Sequence, residues 1–212
     1  MRRVVIVTIS REYGAGGLAV ADGVAHALGY ELLTDDLPKS VAARLGTSPQ
    51  EVAERASSEQ SLPERLLAGL GEGTVEVVST TAPRLPDEFD EAIRSEIERT
   101  IRERAARGNV VILGRNAGAV LGSRPDLVRV FLTAEREWRI VRLVASFGGT
   151  PASAAADIDR VDAARRKFAR ERYKIAWGDP RSYDLAVDVS RFGVEGATDV
   201  IVTAVRSASA RA

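Results

Sequence analysis

A cluster of small residues close to the N-terminus stands between an apolar run and a helix-forming segment. The apolar run covers residues 4–9, and the cluster comprises Gly14, Ala15, Gly16 and Gly17. A strand, a glycine-rich turn and a helix start together expose backbone N–H groups at the positive end of the helix dipole, where anions bind. The spacing therefore predicts a phosphate-binding cradle that extends from Tyr13 to Leu18.

The end of this cradle departs from the usual phosphate-binding loop. In that loop the last glycine is followed by a lysine, which reaches the outer phosphates, and by a serine or threonine, which holds magnesium. Gly17 and Leu18 occupy these two positions here. The sequence thus keeps the backbone donors and lacks the usual cation and metal ligand. Arginine can replace a cation because it binds phosphate through two parallel hydrogen bonds, and the candidates are Arg11, Arg115, Arg165, Arg166, Arg170 and Arg172.

Other polar residues follow two further apolar runs. Gly114-Arg115 comes directly after the run 109–113, where Arg115 is expected to contact a ligand or, alternatively, to form a salt bridge with a helix. Asp35 and Asp36 follow a weak strand at 32–33. These carboxylates could bind an acceptor hydroxyl or base, hold magnesium through water, or cap the helix that begins at Leu37.

The elements that must position these residues alternate along the chain. Apolar runs predict strands at 4–9, 32–33, 109–113, 127–132 and 183–189. Helical patterns predict helices at 18–28, 88–107, 135–146, 154–174 and 194–208, with short helices over 37–72. Such alternation predicts an α/β fold whose mainly parallel sheet is covered by helices on both faces. Ligands of such sheets bind beyond the carboxyl ends of the strands, where the residues described above lie.

Composition narrows the classes of function. The 212 residues contain 30 basic and 30 acidic side chains, so bulk charge gives no support for binding nucleic acid or membrane. The absence of cysteine excludes disulfides and thiolate metal sites, and the single His26 excludes a histidine cluster. We therefore expect a cytoplasmic protein with no nucleic-acid or membrane partner and no protein-built metal site. Composition leaves a homodimer possible.

Several motifs, in order along the chain, resemble those of the cytidylate kinase-like family, a branch of the P-loop nucleoside monophosphate kinases. The resemblance extends from residue 4 to about residue 190. It rests on Ile9-Ser10-Arg11-Glu12-Tyr13-Gly14-Ala15-Gly16-Gly17, on Gly114-Arg115, on Asp162 with Arg165, and on Trp177-Gly178-Asp179-Pro180 with Tyr183-Asp184-Leu185. It implies one P-loop kinase-like, three-layer domain over residues 1–212, with a helical acceptor-binding region at about 35–85 and a lid at about 150–180.

The resemblance also implies roles for individual residues. The segment from Tyr13 to Leu18 would hold the phosphates of ATP, with Mg²⁺ bound without the usual loop hydroxyl. Arg115 would contact the acceptor phosphate, and the lid arginines correspond to Arg165 and to Arg170 or Arg172. Asp35 and Asp36 would contribute to acceptor binding. Trp177 and Tyr183 could stack on a base, although packing of the lid against the core is the simpler interpretation.

The activity implied is ATP-dependent phosphoryl transfer to a nucleoside monophosphate, with CMP or dCMP favoured. Three features favour a different class, a nucleotide-binding regulatory protein with weak or no catalysis. They are Gly17, which is common at this position in the family branch, and Leu18 and Asn116, which depart from the family pattern. The segment Thr34-Asp35-Asp36 also departs from that pattern, which leaves a kinase for another small alcohol as a further alternative.

Overall fold

Five strands form a single parallel sheet in the computed structural model, which describes residues 5–34, 36–56 and 88–210. The strands are β1 (Ile6–Arg11), β2 (Glu31–Leu33), β3 (Val110–Leu113), β4 (Leu127–Thr133) and β5 (Leu185–Asp188). Their order across the sheet is β2-β3-β1-β4-β5, and every neighbouring pair is parallel. The predicted α/β fold with a parallel sheet is confirmed.

Helices connect these strands. Those in the described ranges are α1 (Gly17–Leu28), α2 (Asp36–Leu45), α3 (Pro49–Ala56), α4 (Glu88–Arg107), α5 (Ala117–Leu121), α6 (Arg136–Phe147), α7 (Pro151–Tyr173) and α8 (Val189–Ala210). The short α5 was not expected from the sequence, and α8 begins before the predicted residue 194 because the chain turns helical directly after β5 and kinks at Gly193. Within the described ranges, no helix combines the length and apolar character that crossing a membrane would require.

One face of the sheet is covered by α1 and α8. Alternate residues of β1, such as Val7 and Ile9, join Val20 and Val24 of α1 in a buried cluster. Buried residues of α8, such as Ile201, complete this cluster. Alternation places every second side chain of a strand on the same face, so the apolar runs bury both faces of the sheet.

The register of the central strands aligns their carboxyl ends. Ile9 of β1 lies opposite Leu113 of β3 and Val130 of β4. The Gly114 N–H, directly after β3, donates to the Ile9 carbonyl at 2.8 Å. The segments that follow β1 and β3 therefore begin side by side, at the edge of the sheet where ligands of parallel sheets bind.

The chain divides into two compact units. One comprises Met1–Thr34 with Ile101–Ala212, and the other comprises Asp35–Thr100. Within the second unit, Arg44 and Glu96 form an ion pair at 2.6 Å, and the Ser48 hydroxyl accepts a hydrogen bond from the Glu51 N–H at 3.1 Å. The acceptor-binding region predicted at 35–85 begins at the start of this unit. Residues 57–85 of that region lie outside the described residues, and its role, like the single domain, stays a prediction.

Candidate phosphate-binding site

The loop between β1 and α1 has the backbone of an anion-binding turn. Gly14 and Gly16 have φ values of 81° and 76°, which side-chain-bearing residues rarely adopt. Gly16 is the N-cap of α1, and the first turn of the helix reads Gly-Leu-Ala-Val. The first N–H groups of a helix have no carbonyl partner within it, and this helix has no acidic side chain in its first turn to satisfy them. The start of α1 therefore favours an external anion.

Contacts with α6 hold the loop from one side. A Cβ atom added at Gly14 would lie 3.2 Å from side-chain atoms of Arg139 and Leu143, so the loop backbone runs close against this helix. The Tyr13 ring is buried with Leu143 and with Ile158 of α7. Tyr13 thus anchors the loop through its side chain, which leaves residues 14–18 as the cradle.

Two carboxylates fix the backbone of the loop. The Glu12 carboxylate accepts hydrogen bonds from the Thr133 hydroxyl at 2.7 Å and from the Ala134 N–H at 3.1 Å, which ties the loop to the end of β4. The Asp162 carboxylate on α7 accepts the Tyr13 N–H at 2.9 Å. A loop held in this way is organised before any ligand arrives, which lowers the entropy cost of binding.

Asp162 also forms a buried ion pair with Arg139 of α6. The Arg139 Nη1 atom lies 2.7 Å from the Asp162 carboxylate and 3.3 Å from the Tyr13 carbonyl. Arg139 was not among the site residues predicted from the sequence. A signal was present, because Arg136 and Arg139 on α6 have the same three-residue spacing as their partners Asp159 and Asp162 on α7.

A second arginine of α6 lies beside the cradle. The Arg142 guanidinium is 3.5–3.7 Å from the position that a Cβ atom at Gly16 would occupy. It also lies over the Trp138 ring, 5.0 Å from the ring centroid. Arg142 was not singled out from the sequence, and its spacing from Arg139 by three residues is the signal that could have found it.

The basic residues of α7 differ in where they lie. Arg165 is 11% exposed, its Nη1 donates to the Arg11 carbonyl at 3.0 Å, and its guanidinium lies 5.9 Å from the centroid of the Tyr13 ring. Arg166, Arg170 and Arg172 are exposed. One arginine of the predicted lid is thus turned toward the loop. The catalytic roles of Arg165 and Arg172 stay predictions.

Arg115 follows β3 in an unusual backbone conformation. Gly114, Arg115 and Asn116 have φ values of 76°, 55° and 48°, and the Ala117 N–H closes the turn on the Gly114 carbonyl at 3.0 Å. A left-handed residue other than glycine costs roughly 1 kcal/mol, and such strain is concentrated at functional sites. The turn fixes the Arg115 backbone at the ligand edge of the sheet, while its contact with an acceptor phosphate stays a prediction.

The side chains of the two acidic residues predicted to bind the acceptor lie outside the described residues. Asp35 lies outside the described residues, and Asp36 is the first residue of α2, with a side chain that is also outside them. Their role stays a prediction.

The aromatic motif near residue 180 packs against β4. Trp177 and Tyr183 contact the Phe131 ring, with centroids at 5.2 and 4.9 Å. Burial raises the pKa of the Tyr183 phenol. The rings therefore stabilise the attachment of this motif to the sheet.

The acidic residues of the same motif make local pairs. Asp184 forms a two-pronged ion pair with Arg129, at 2.9 and 3.1 Å, and accepts the Arg129 N–H at 2.8 Å. Asp179 caps the one-turn 3-10 helix Pro180–Ser182, and its hydrogen bonds from Arg181 lower the pKa of its carboxyl to about 2. Both acids thus fix the path of the chain into β5.

The cradle fits the phosphates of a nucleotide better than it fits a free metal ion. In the part of the chain that the structure describes, no three His, Asp or Glu side chains are grouped to hold a metal. Magnesium commonly keeps several waters and binds through substrate phosphates and one or two carboxylates. The residues present therefore suit Mg²⁺ that arrives with its nucleotide.

Comparisons with known proteins identify the family. The model of the cytidylate kinase-like family matches residues 6–191. A cytidylate kinase from Haloarcula marismortui is 26% identical over 207 residues, which are 96% of this chain and 91% of that protein. A cytidylate kinase from Halobacterium salinarum is 31% identical over 119 residues, which are 56% of this chain and only 62% of that protein.

Solved structures agree in fold. An uncharacterised protein from Eubacterium ventriosum has a TM-score of 0.69 at 21% identity, with 96% of this chain and 99% of that chain covered. A shikimate kinase from Bacteroides thetaiotaomicron has a TM-score of 0.54 at 13% identity, with the same coverage. At these identities the likeness concerns the fold alone. The chain belongs to the cytidylate kinase-like family and has the P-loop kinase fold.

Proposed function

We propose that this protein transfers a phosphoryl group from ATP to a nucleoside monophosphate, with CMP or dCMP as the favoured acceptor. The observation that carries the proposal is the cradle at residues 14–18, beside which lie the guanidinium of Arg142 and the side chain of Arg11. Membership of a kinase family supports ATP as the donor, together with Mg²⁺. The choice of cytidine rests on the relatives, which are named cytidylate kinases.

Phosphoryl transfer requires little covalent chemistry from the protein. The protein must align the donor and acceptor and stabilise the charge on the transferred group. N–H groups of residues 14–18 would bind the donor phosphates, and Arg142 would neutralise charge beside Gly16. Arg115, held at the end of β3, would bind the acceptor phosphate. Bound Mg²⁺ would neutralise further phosphate charge.

A second candidate is a nucleotide-binding regulatory protein with weak catalysis or none. The specific observation in its favour is the end of the cradle, where Gly17 offers no cation and Leu18, which is 43% exposed, offers no hydroxyl. Loss of one electrostatic donor from a transition state reduces rates by roughly 100- to 1000-fold. Binding without turnover would be the mark of this alternative.

The decisive experiment follows labelled γ-phosphate from ATP to a panel of acceptors that contains CMP, dCMP, UMP, AMP, GMP and small alcohols. We expect transfer to a pyrimidine monophosphate, fastest to CMP or dCMP. Gly16→Val should abolish both transfer and nucleotide-induced thermal stabilisation, because valine is strained at a φ of 76° and would crowd Arg142.

The matched control is Gly29→Val. Gly29 is also left-handed, at a φ of 66°, but it ends α1, and a Cβ there would meet no atom of the described residues within 4 Å. This variant should be destabilised while still binding nucleotide. Nucleotide binding without transfer to any acceptor would refute the kinase proposal and support the regulatory one.

A further inference from the structure

The side chain of Arg11 lies across the first residue of α1. A Cβ atom added at Gly17 would lie 2.7 Å from Cγ and 3.1 Å from Cδ of Arg11. At its far end the Arg11 guanidinium reaches the residue after β3, because a Cβ at Gly114 would collide with its Nη1 atom. Arg11 thus extends from the cradle to the turn that carries Arg115.

The glycine at position 17 is explained by this contact. Gly17 is the first residue of a helix, and its φ is outside the left-handed region, so the backbone does not require glycine there. Glycine is also less favourable than alanine as a helical residue. The steric requirement comes from Arg11, which occupies the space into which any side chain at position 17 would project.

The two positions concerned are the ends of the phosphate-binding motif. The motif Gly-x-x-x-x-Gly-Lys begins with a glycine six positions before its lysine. In this chain those positions are 11 and 17, and they hold arginine and glycine. The chain therefore carries its cation at the position of the motif's first glycine and a glycine at the position of the motif's lysine.

The Arg11 backbone is held firmly enough to aim its side chain. Arg11 is the last residue of β1 and lies opposite Leu132 of β4, and its carbonyl accepts the hydrogen bond from Arg165 at 3.0 Å. A guanidinium is always charged and makes paired hydrogen bonds to phosphate oxygens. Its place between Gly17 and Gly114 is at the ligand edge of the sheet.

We infer that Arg11 replaces the missing loop lysine and contacts the outer phosphates of the donor nucleotide. This inference rests on the proposed function, because it assigns the cation to the same phosphate site. If Arg11 supplies the positive charge, the loop needs no lysine. Residue 17 must then be glycine, because any larger side chain would overlap the side chain of Arg11.

The first test changes the charge of Arg11 and keeps its stem. Arg11→Met should lower affinity for ATP and for inorganic tripolyphosphate by about 10- to 100-fold, the loss of a charge-assisted hydrogen bond, and should leave AMP affinity nearly unchanged. The rate of transfer should fall by about 100- to 1000-fold. Arg11→Lys should recover part of both losses.

The control is Arg191→Met. Arg191 is an exposed residue of α8, and its variant should match the parent in affinity and rate. Calorimetry measures the binding, and the transition temperature of each variant confirms folding.

The second test moves the cation to the usual position. Gly17→Lys alone should bind ATP more weakly than the parent, because its Cβ would overlap Arg11. The double variant Arg11→Gly with Gly17→Lys restores the standard motif and should bind ATP better than either single variant. The inference would be overturned if Arg11→Met and the parent bound ATP and tripolyphosphate equally well. It would also be overturned if the fold-loss of ATP affinity in the double variant equalled the product of the fold-losses in Arg11→Gly and Gly17→Lys, because the two positions would then act independently.

The binding measurements separate this inference from the proposed function. If the parent binds ATP and transfers no phosphate, the kinase proposal fails, while the ATP and AMP affinities of Arg11→Met still decide the role of Arg11. If the parent transfers phosphate and Arg11→Met does so equally well with unchanged ATP affinity, the kinase proposal stands and the inference fails.

Discussion

At the level of single residues, the turn after β3 holds Arg115 in position at a cost in backbone strain. Arg115 and Asn116 both adopt left-handed φ values, and the left-handed region tolerates asparagine better than arginine. The turn places Arg115 one residue from Gly114, against which the Arg11 guanidinium lies. Two cationic residues therefore lie at the carboxyl ends of two adjacent strands, Arg11 as the last residue of β1 and Arg115 just beyond β3. This arrangement suits a reaction between two phosphate groups.

Replacement of Arg115 tests its assignment to the acceptor. Arg115→Ala should weaken CMP binding by about 1.5–3 kcal/mol, the usual value of a hydrogen bond to a charged group, and should leave ATP binding unchanged. Calorimetric titrations with each nucleotide measure both affinities. Arg115→Lys is the control, because it keeps the charge and should retain part of the CMP affinity. Equal losses for CMP and ATP would indicate that Arg115 maintains the turn instead.

At the scale of elements, α6 and α7 form a platform for the loop. Two ion pairs join these helices, one exposed between Arg136 and Asp159 and one buried between Arg139 and Asp162. The buried pair also holds the Tyr13 backbone through both its N–H and its carbonyl. Packing of α6 against α7 and the conformation of the cradle are therefore coupled.

The two ion pairs provide a matched comparison. Asp162→Ala leaves Arg139 charged and buried and removes the acceptor of the Tyr13 N–H, so it should lower the free energy of unfolding by about 3–5 kcal/mol. Asp159→Ala removes a carboxylate that is 67% exposed, where solvent screens the ion pair, and should lower the free energy of unfolding far less. Urea denaturation of the two variants measures both values. Similar losses would mean that the buried pair contributes little to the stability of the platform.

At the scale of the whole molecule, the motif that includes Trp177, Tyr183 and Asp184 attaches the edge strand β5 to the sheet. Its rings pack on Phe131 of β4, and Asp184 pairs with Arg129 of the same strand. Burial acts to raise the pKa of the Asp184 carboxyl, but hydrogen bonds and charge from Arg129 outweigh it and hold the pKa below the usual 3.8. Protonation of Asp184 therefore opposes folding.

The direction of this pKa shift predicts how stability depends on pH. A carboxyl with a lowered pKa in the folded state stabilises the protein above its ordinary pKa, and this contribution disappears as the pH falls toward the folded value. The Asp184–Arg129 pair should thus lose its contribution below about pH 4. Asp184→Asn should reduce the slope of unfolding free energy against pH in this range, as should Arg129→Met. Denaturation at a series of pH values measures the slopes, and unchanged slopes in both variants would contradict the prediction.

Patterns in the amino-acid sequence were enough to predict the local features of this protein. Apolar runs of β-branched residues indicated the strands, and the glycine cluster after the first run indicated the loop at residues 14–18. The short helices expected over 37–72 are confirmed by α2 and α3 in the described part of that segment. These features depend on neighbours within a few residues, because backbone preferences and side-chain periodicity act over that distance.

Which charged residues face the loop depends on how the helices pack, and it could not be predicted from the sequence. Helical spacing showed that the arginines of α7 divide between faces, yet only packing shows that Arg165 is turned toward Arg11 while Arg172 is exposed. The bond between Tyr13 and Asp162 joins residues 149 positions apart. The contact of Arg11 with Gly17 joins a strand end to a helix start across a turn. Such contacts depend on the relative positions of whole elements, which the packing of the core fixes and which no local pattern encodes.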